Sequence, residues 1–590
     1  MAEYAQEPLA LADVLFLLPN RRAAKALADA FVRQRGLTPT LLPKMVPIGD
    51  VEEDELFLTG FDFAESLASL APAIERNERL LLFTKIILHK PAEFGIEKLT
   101  ANQACYLAQE LAGLIDTVHN ENLSFERLAD IVPAEYAAHW QETLKFLEII
   151  TRYWPDILKE RGLIDPGERR NRLIAAQAEM WKAAPPAKRI VAVGTTATFP
   201  VMKALVKVVS KLPQGEVCLA GLDKNLDDES WNAIDETHPQ FELKELLDYL
   251  QADRRDIADL MPPANPEREK FISEIMRPAK TTDKWRDIAA AEIHHEAYDG
   301  IRLIDCDDVR KEALAIALIM RETLEQPEKT AALVTTDRNL ARRVASELRR
   351  WKINIDDSAG QPLALTPIGI FLRQMTVLRG GGYDEISEEK VNAVKAQMQA
   401  FCALLQQPKA DFKTLLELHV RAAEKLAAQP GESGASTLWK GDAGEAMAGF
   451  VADLYQSAGV LGEVDTAEYE GLFESLMAGV TVRPKYGTHP RLRILGPIEA
   501  RLTHFDTIIV GEVNEGAFPK ASGADPWMSR PMKRDFGFPL PEKAVGVLAH
   551  DFCQLLAADR VYLTRAERVQ GTPMVKSRWW MRLETVLKAL

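Results

Sequence analysis

At 590 residues the chain exceeds what a single hydrophobic core organises, so three or four domains are expected. Its 47% apolar and 27% charged residues are ordinary for a globular protein, and a net charge of −15 speaks against a protein that simply coats nucleic acid. The five cysteines are widely spaced and form no CxxC or Cys/His cluster, which argues against a zinc site, an iron–sulfur cluster and a disulfide framework.

The N-terminus reads as α/β. DVLFLLP (13–19) is a short apolar strand, and NRRAAKALADAFVRQRG (20–36) a helix with Asn20 as N-cap, Ala24, Leu27, Ala28 and Phe31 on one face and Gly36 at the C′ position. The start lacks a basic region followed by a cleavable apolar run, and no apolar stretch reaches about 18 residues, so a cytoplasmic protein without a membrane span is expected. Residues from about 60 to 182 carry apolar stripes at helical period and no clear strand. Strands resume with KRIVAVG (188–194) and EVCLAGLD (216–223), around a helix introduced by Pro200. A second unit opens with strands IRLIDC (301–306) and TAALVTT (330–336) around the helix DVRKEALAIALIMRETLEQ. The amphipathic helix RNLARRVASELRRW follows, with Leu340, Val344 and Leu348 inward, then a turn-like IDDSAGQPL (355–363). Residues 375–480 read as helical and polar, flanked by GGG (380–382) and a loose QPGESGAS (429–436). RLRILGP (491–497), DTIIVGEV (506–513) and RVYLTR (560–565) are further strands, and WWMRLETVLKAL a final helix without a stop signal, as though the chain ended in mid-domain. The fold class expected is therefore α/β, with two cores each interrupted by a helical insertion.

Chemistry is sparse along this frame. A phosphate-cradling loop needs a Gly-rich turn followed by Lys, and no Gly-Lys dipeptide occurs. Where such a loop would sit stands LLPNRRAAKA, whose Arg21, Arg22 and Lys25 are placed to touch an anion at a helix N-terminus, although first-turn charges are more often only solvated. The Asp-Glu pairs at 54–55, 228–229, 235–236 and 384–385 lie in polar loops rather than at strand ends. Asp223 ends a strand, which suits a turn better than a Mg²⁺ ligand; Asp356 and Asp357 read as turn residues. His294 and His295 lack the i, i+4 spacing of a metal pair, and no GxSxG or HExxH occurs.

Residues 481–590 hold 17 Lys/Arg against 11 Asp/Glu, so the remainder is strongly acidic. The excess is either compositional drift or a phosphate-facing surface. Arg491, Arg493 and Arg501 surround one strand there; Arg530, Lys533, Arg534, Arg565, Arg568, Lys576 and Arg578 follow, with Trp527, Trp579 and Trp580 interleaved. Arginines for phosphate and aromatic faces for bases is how single strands are held. The competing reading has buried tryptophans and arginines in salt bridges.

Segments in one order along nearly the whole chain resemble a known family. LLPNRRAAKAL (17–27), LLPKMVPIGD (41–50), GTTATFP with LPQGEVCLAGLD (194–223), ALVTTDRNLARRVASELRRWKINIDDSAGQPLALTP (332–367), HPRLRILGPIEARLTHFDTIIVGEVNEGAFP (489–519), DPWMSRPMKRDFGFPLPEK (525–543), AHDFCQLLAADRVYLTRAE (549–567) and GTPMVKSRWWMRL (571–583) are similar to AddB, a subunit of AddAB helicase–nucleases, in its alphaproteobacterial form. The resemblance implies a superfamily 1 helicase-like body with two RecA-like cores: a 1A core (1–60 with 183–300), a 1B-like insertion (61–182), a 2A core (301–374 with 481–590) and a 2B-like insertion (375–480). It places 489–519 at helicase motif V, with Glu499-Ala500-Arg501 where a working motif has Lys-Gly. It places 549–567 at motif VI, with His550 and Asp551 near the site of the γ-phosphate arginine.

It further implies a subunit without catalytic, cofactor or metal residues of its own, guiding single-stranded DNA in double-strand break repair. Arg491, Arg493 and Arg501 are the candidates for backbone contact. ATP and Mg²⁺ would be handled by an AddA-type partner, and Mg²⁺ also by a C-terminal nuclease domain that these residues do not supply; its lack would leave an apolar face near Trp579 and Trp580. A true ATP-dependent helicase with divergent motifs, or a scaffold for the partner that touches no DNA, are the competing expectations.

Overall fold

The computed structural model describes residues 8–34, 41–48, 70–89, 99–125, 146–196, 198–291, 293–377, 396, 398–483, 488–521 and 527–590. The glycines at 36 and 380–382 and the acidic pairs at 54–55 and 384–385 lie outside these. The chain is α/β with mainly parallel sheets, and it divides into two compact units, one of residues 1–69, 170–358 and 487–590, the other of 70–169 and 359–486. Among the described residues no helix is long and apolar enough to cross a membrane, and no disulfide is formed.

The first unit holds two parallel sheets. In the smaller, strands β1 (Leu15–Leu18), β2 (Lys44–Pro47), β3 (Ile190–Val193) and β4 (Gly215–Cys218) lie in the order β2-β1-β3-β4. Leu15 faces Lys44 on one side and Ile190 on the other. Helix α1 (Arg21–Gln34) follows β1, and α2 (Pro200–Val209), with Pro200 in its first turn where a missing N–H costs nothing, joins β3 to β4. The larger sheet contains β5 (Ile301–Cys306), β6 (Ala331–Val334), β7 (Asp356–Asp357), β8 (Leu492–Leu495), β9 (Thr507–Val510) and β10 (Arg560–Ala566), in the order β5-β10-β9-β6-β8-β7. All its pairings are parallel.

Both faces of the larger sheet are covered, and β6 and β9 are accordingly buried at every position rather than at alternate ones. On one face, α3 (Val309–Glu325) and α4 (Arg338–Arg349) bury Ile316, Met320, Val344 and Leu348 against Leu333 and Ile509. On the other, α5 (Pro541–Leu556) and α6 (Arg578–Ala589) bring Phe552, Trp579, Trp580 and Leu583 onto Ile508, Val510 and Val561. Trp579 and Trp580 are thus core side chains, 3% and 0% exposed, and the apolar face expected around them is closed.

The second unit is mainly helical, and both insertions contribute to one core, Leu81 and Cys105 from the first packing with Phe401, Phe412, Tyr469 and Phe473 from the second. The polar reading of 375–480 is therefore corrected. His419 stacks on Phe401 with centroids 4.9 Å apart, fully enclosed, its ring nitrogens 3.1 Å from the Tyr469 hydroxyl and 3.0 Å from the Leu372 carbonyl oxygen. Burial pushes its pKa down to about 4. The first insertion has its own buried network: Arg79 meets Asp116 at 2.8 Å and Asp165 at 3.2 Å, and the Trp154 indole N–H donates to Asp165.

Candidate functional site

The junction of β1 and α1 is where an α/β nucleotide site is built, because a glycine-rich turn there leaves backbone N–H groups free for phosphate. In this chain the turn is Pro19-Asn20, without glycine and with one N–H fewer. Asn20 is 5% exposed. Its Oδ1 accepts the Ala23 N–H at 2.8 Å, and its Nδ2 donates to the Ile498 carbonyl at 2.8 Å. The expected cap is present, and it fills the corner in which a phosphate would take those donors.

Next to this corner lies a cavity of about 950 Å³. One wall is the smaller sheet, where alternation puts Phe16 and Leu18 of β1 and Val191 and Val193 of β3 on a common face; Leu495, Leu502 and Phe505 form the opposite wall. Gly194, at φ +64°, permits the close approach: a Cβ there would stand 2.6 Å from Leu502 Cδ1.

Charges ring the opening, and most are neutralised locally. Arg22 meets Asp356 at 3.1 Å, and Arg493 reaches the same carboxylate at 3.3 Å. Arg189 meets Glu216 at 2.6 Å. Asp506 accepts from Lys329 at 2.6 Å and from the Thr330 hydroxyl at 2.9 Å; burial opposes its ionisation, but these donors hold it down at about 2. Asp356 and Asp357 are not turn residues. They form edge strand β7 beside β8, with Asp357 bound by Arg338.

The three arginines singled out for DNA do not converge. Arg491 donates to the carbonyl oxygens of Gln326 at 2.8 Å, Lys329 at 3.2 Å and Leu324 at 3.1 Å, capping the end of α3. Arg493 lines the cavity, donates to the His489 and Leu492 carbonyls, and has its guanidinium pKa lowered by burial. Arg501 forms a fork with Asp551, at 2.6 and 3.0 Å, and Asp551 is 3% exposed. His550 beside it is also buried, which lowers its pKa.

Four of the seven later basic residues, Arg530, Arg565, Lys576 and Arg578, form ion pairs. Arg565, 4% exposed, donates to Asn514 at 2.9 Å and pairs with Asp305; Lys576 meets Glu584 at 2.6 Å; Arg578 pairs with Glu515; Arg530 pairs with Glu542. Asp223 proves to be a turn residue, accepting the N–H groups of Asn225 at 2.8 Å and Leu226 at 3.0 Å.

The turn after β9, GEVNEGAFP, is a knot of hydrogen bonds. The Glu512 N–H donates to Glu312 Oε1 at 2.8 Å, and the Thr564 hydroxyl donates to the same oxygen at 2.8 Å. Asn514, fully buried, donates to the Ala566 carbonyl. Glu512 itself, at φ +58°, hydrogen-bonds Asp337; burial and that neighbouring carboxylate raise its pKa to about 8. Nothing local in the sequence announces this carboxyl pair, because its members are 175 residues apart.

What fold and site define together is an α/β protein with two parallel sheets in one unit, a second unit formed by the two insertions, and a first β–α corner closed by its own asparagine. Compared with protein-family models and with curated proteins, the chain matches none.

Proposed function

We propose that this chain is a helicase-like subunit of AddB type that guides single-stranded DNA during processing of double-strand ends and leaves ATP hydrolysis to an AddA-type partner. Two parallel α/β sheets, each interrupted in sequence by a helical insertion, support the helicase-like reading. The observation that carries the loss of hydrolysis is Asn20. A triphosphate site needs free amides and a lysine to offset charge at the β- and γ-phosphates, whereas here the amide at the helix start is bound to a carboxamide and Arg22 to Asp356. Residues 489–519 and 549–567 then serve as a folded wall rather than as motor motifs, with Arg501 and Asp551 bound to each other across them.

The reading implies a heterodimer whose partner supplies ATP turnover with Mg²⁺. Its test is single-stranded DNA affinity against salt for the chain alone and with an AddA-type subunit. A log–log slope near −0.7 per phosphate engaged is expected. A slope of zero with stable association with the subunit would favour a scaffold, and the DNA-guiding role would be withdrawn.

A further inference from the structure

Arg491, Arg493 and Arg501 are engaged within the fold, so a DNA-handling chain requires its cations elsewhere. A groove of about 500 Å³ lies over the paired helices α3 and α4, lined by Arg310, Asn339, Arg342, Arg343 and Ser346, with buried Ala313 as its floor. The helix periodicity explains this placement. On α4, Leu340, Ala341, Val344 and Leu348 face the core, which turns Asn339, Arg342, Arg343 and Ser346 outward. Arg310 comes from the first turn of α3.

Among the described residues, the guanidinium groups of Arg310 and Arg343 meet no carboxylate. The Asn339 side chain orients Arg342, accepting from it at 2.6 Å. Glu347, the carboxylate that lines the groove, is held by Arg350 at 2.6 Å. In a chain with 87 acidic and 72 basic residues, three arginines thus face one groove with no ion-pair contact among the described residues. Asp308 and Asp337 already cap the two helices, so side-chain forks and not helix amides are the donors. Forks of this kind suit phosphate oxygens and carry no base information. Arg349 extends the row of Arg342 and Arg343 to about 10 Å along α4, whereas Arg338 and Arg350 are paired with Asp357 and Glu347. A row suits a chain of phosphates better than a single ion.

We propose that this groove binds the phosphodiester backbone of single-stranded DNA, an inference that rests on the DNA-guiding reading above and supplies it with a site. The test is the affinity of a fluorescein-labelled oligo(dT) for the full chain, by anisotropy, across a salt series. R310E/R343E is compared with the charge-matched surface pair K211E/K588E and with the conservative R310K/R343K, each shown folded by its unfolding transition.

The expected result is an affinity reduced about tenfold or more in R310E/R343E, with a salt slope shallower by roughly 1.4, an intermediate affinity with a parent-like slope in R310K/R343K, which keeps the charges but not the forks, and little change in K211E/K588E. Equal affinity and slope in R310E/R343E and K211E/K588E overturns the groove while leaving the DNA-guiding reading intact. Absence of oligo(dT) binding by the parent chain overturns both. Calorimetric binding of inorganic phosphate by a parent that does not bind oligo(dT), lost in R310E/R343E, reassigns the groove to a free anion and overturns its nucleic-acid role.

Discussion

Asn20 caps helix α1 through one atom of its carboxamide and holds the carbonyl of Ile498, 478 residues further on, through the other. One buried side chain thereby completes a helix start, joins two segments remote in sequence and occupies the corner where α/β nucleotide sites place phosphate.

Asn20→Ala removes both bonds and is expected to cost about 2 kcal/mol, roughly half from the lost cap and half from the stranded Ile498 carbonyl. Asn20→Ser retains a cap but cannot span to Ile498, so it should fall between parent and Ala. Urea midpoints of the three proteins check the order; equal midpoints for Ala and parent would show that the carboxamide is unimportant.

Arg501 and Asp551 form a shielded pair, 15% and 3% exposed. Arg501→Met should destabilise by about 3–5 kcal/mol because it leaves Asp551 charged and unpartnered, whereas the double change with Asp551→Leu should recover most of that loss. A double-mutant cycle measures the coupling. If Arg501→Met weakens DNA binding at unchanged stability, Arg501 is a phosphate contact after all.

The pH dependence has a definite sign. The folded-state pKa of Glu512, at about 8, lies above its ordinary value of 4.5. Its contribution is therefore fully present below about pH 4.5 and is lost as the pH rises through 8. Glu512→Gln removes this dependence, so the Tm of the variant minus that of the parent should increase between those limits. Asp506, held at about 2, acts in the opposite sense: its contribution is present above the ordinary value of 3.8 and fades as the pH falls toward 2. A flat Tm difference for Glu512→Gln would mean that the carboxyl is ionised in the folded protein.

Gly194 combines a left-handed backbone with the approach of Leu502. Gly194→Ala is expected to cost about 1–2 kcal/mol from φ alone, with more from displacing Leu502. Pairing it with Leu502→Ala should relieve the clash and leave the backbone cost, which denaturant titration of the single and double variants will show.

Much of the frame is legible in sequence because buried parallel strands are written as short unbroken apolar runs; LFLL, IVAV, AALV and TIIV all fall inside the segments expected. The strands that escape notice carry other marks. KMVP (44–47) begins with an exposed lysine and ends in proline, and Asp356-Asp357 looks like a turn until Arg22, Arg493 and Arg338 are found against it. Composition misleads at 375–480, where the aromatic core around His419 is assembled from residues spread over some seventy positions of a polar-looking sequence. The arginines fare worst. A guanidinium facing DNA and one capping a helix carry the same letter, and Gln326 and Asp551, the partners of Arg491 and Arg501, lie 165 and 50 residues away.

The proposed helicase-like frame without a nucleotide site is tested most directly by calorimetric titration of the folded chain with Mg²⁺-ATP. No saturable heat in the micromolar range and no DNA-stimulated phosphate release by this chain alone are expected. Stoichiometric micromolar binding, weakened by changes at Arg22 or Lys25 and accompanied by DNA-stimulated hydrolysis, would contradict it.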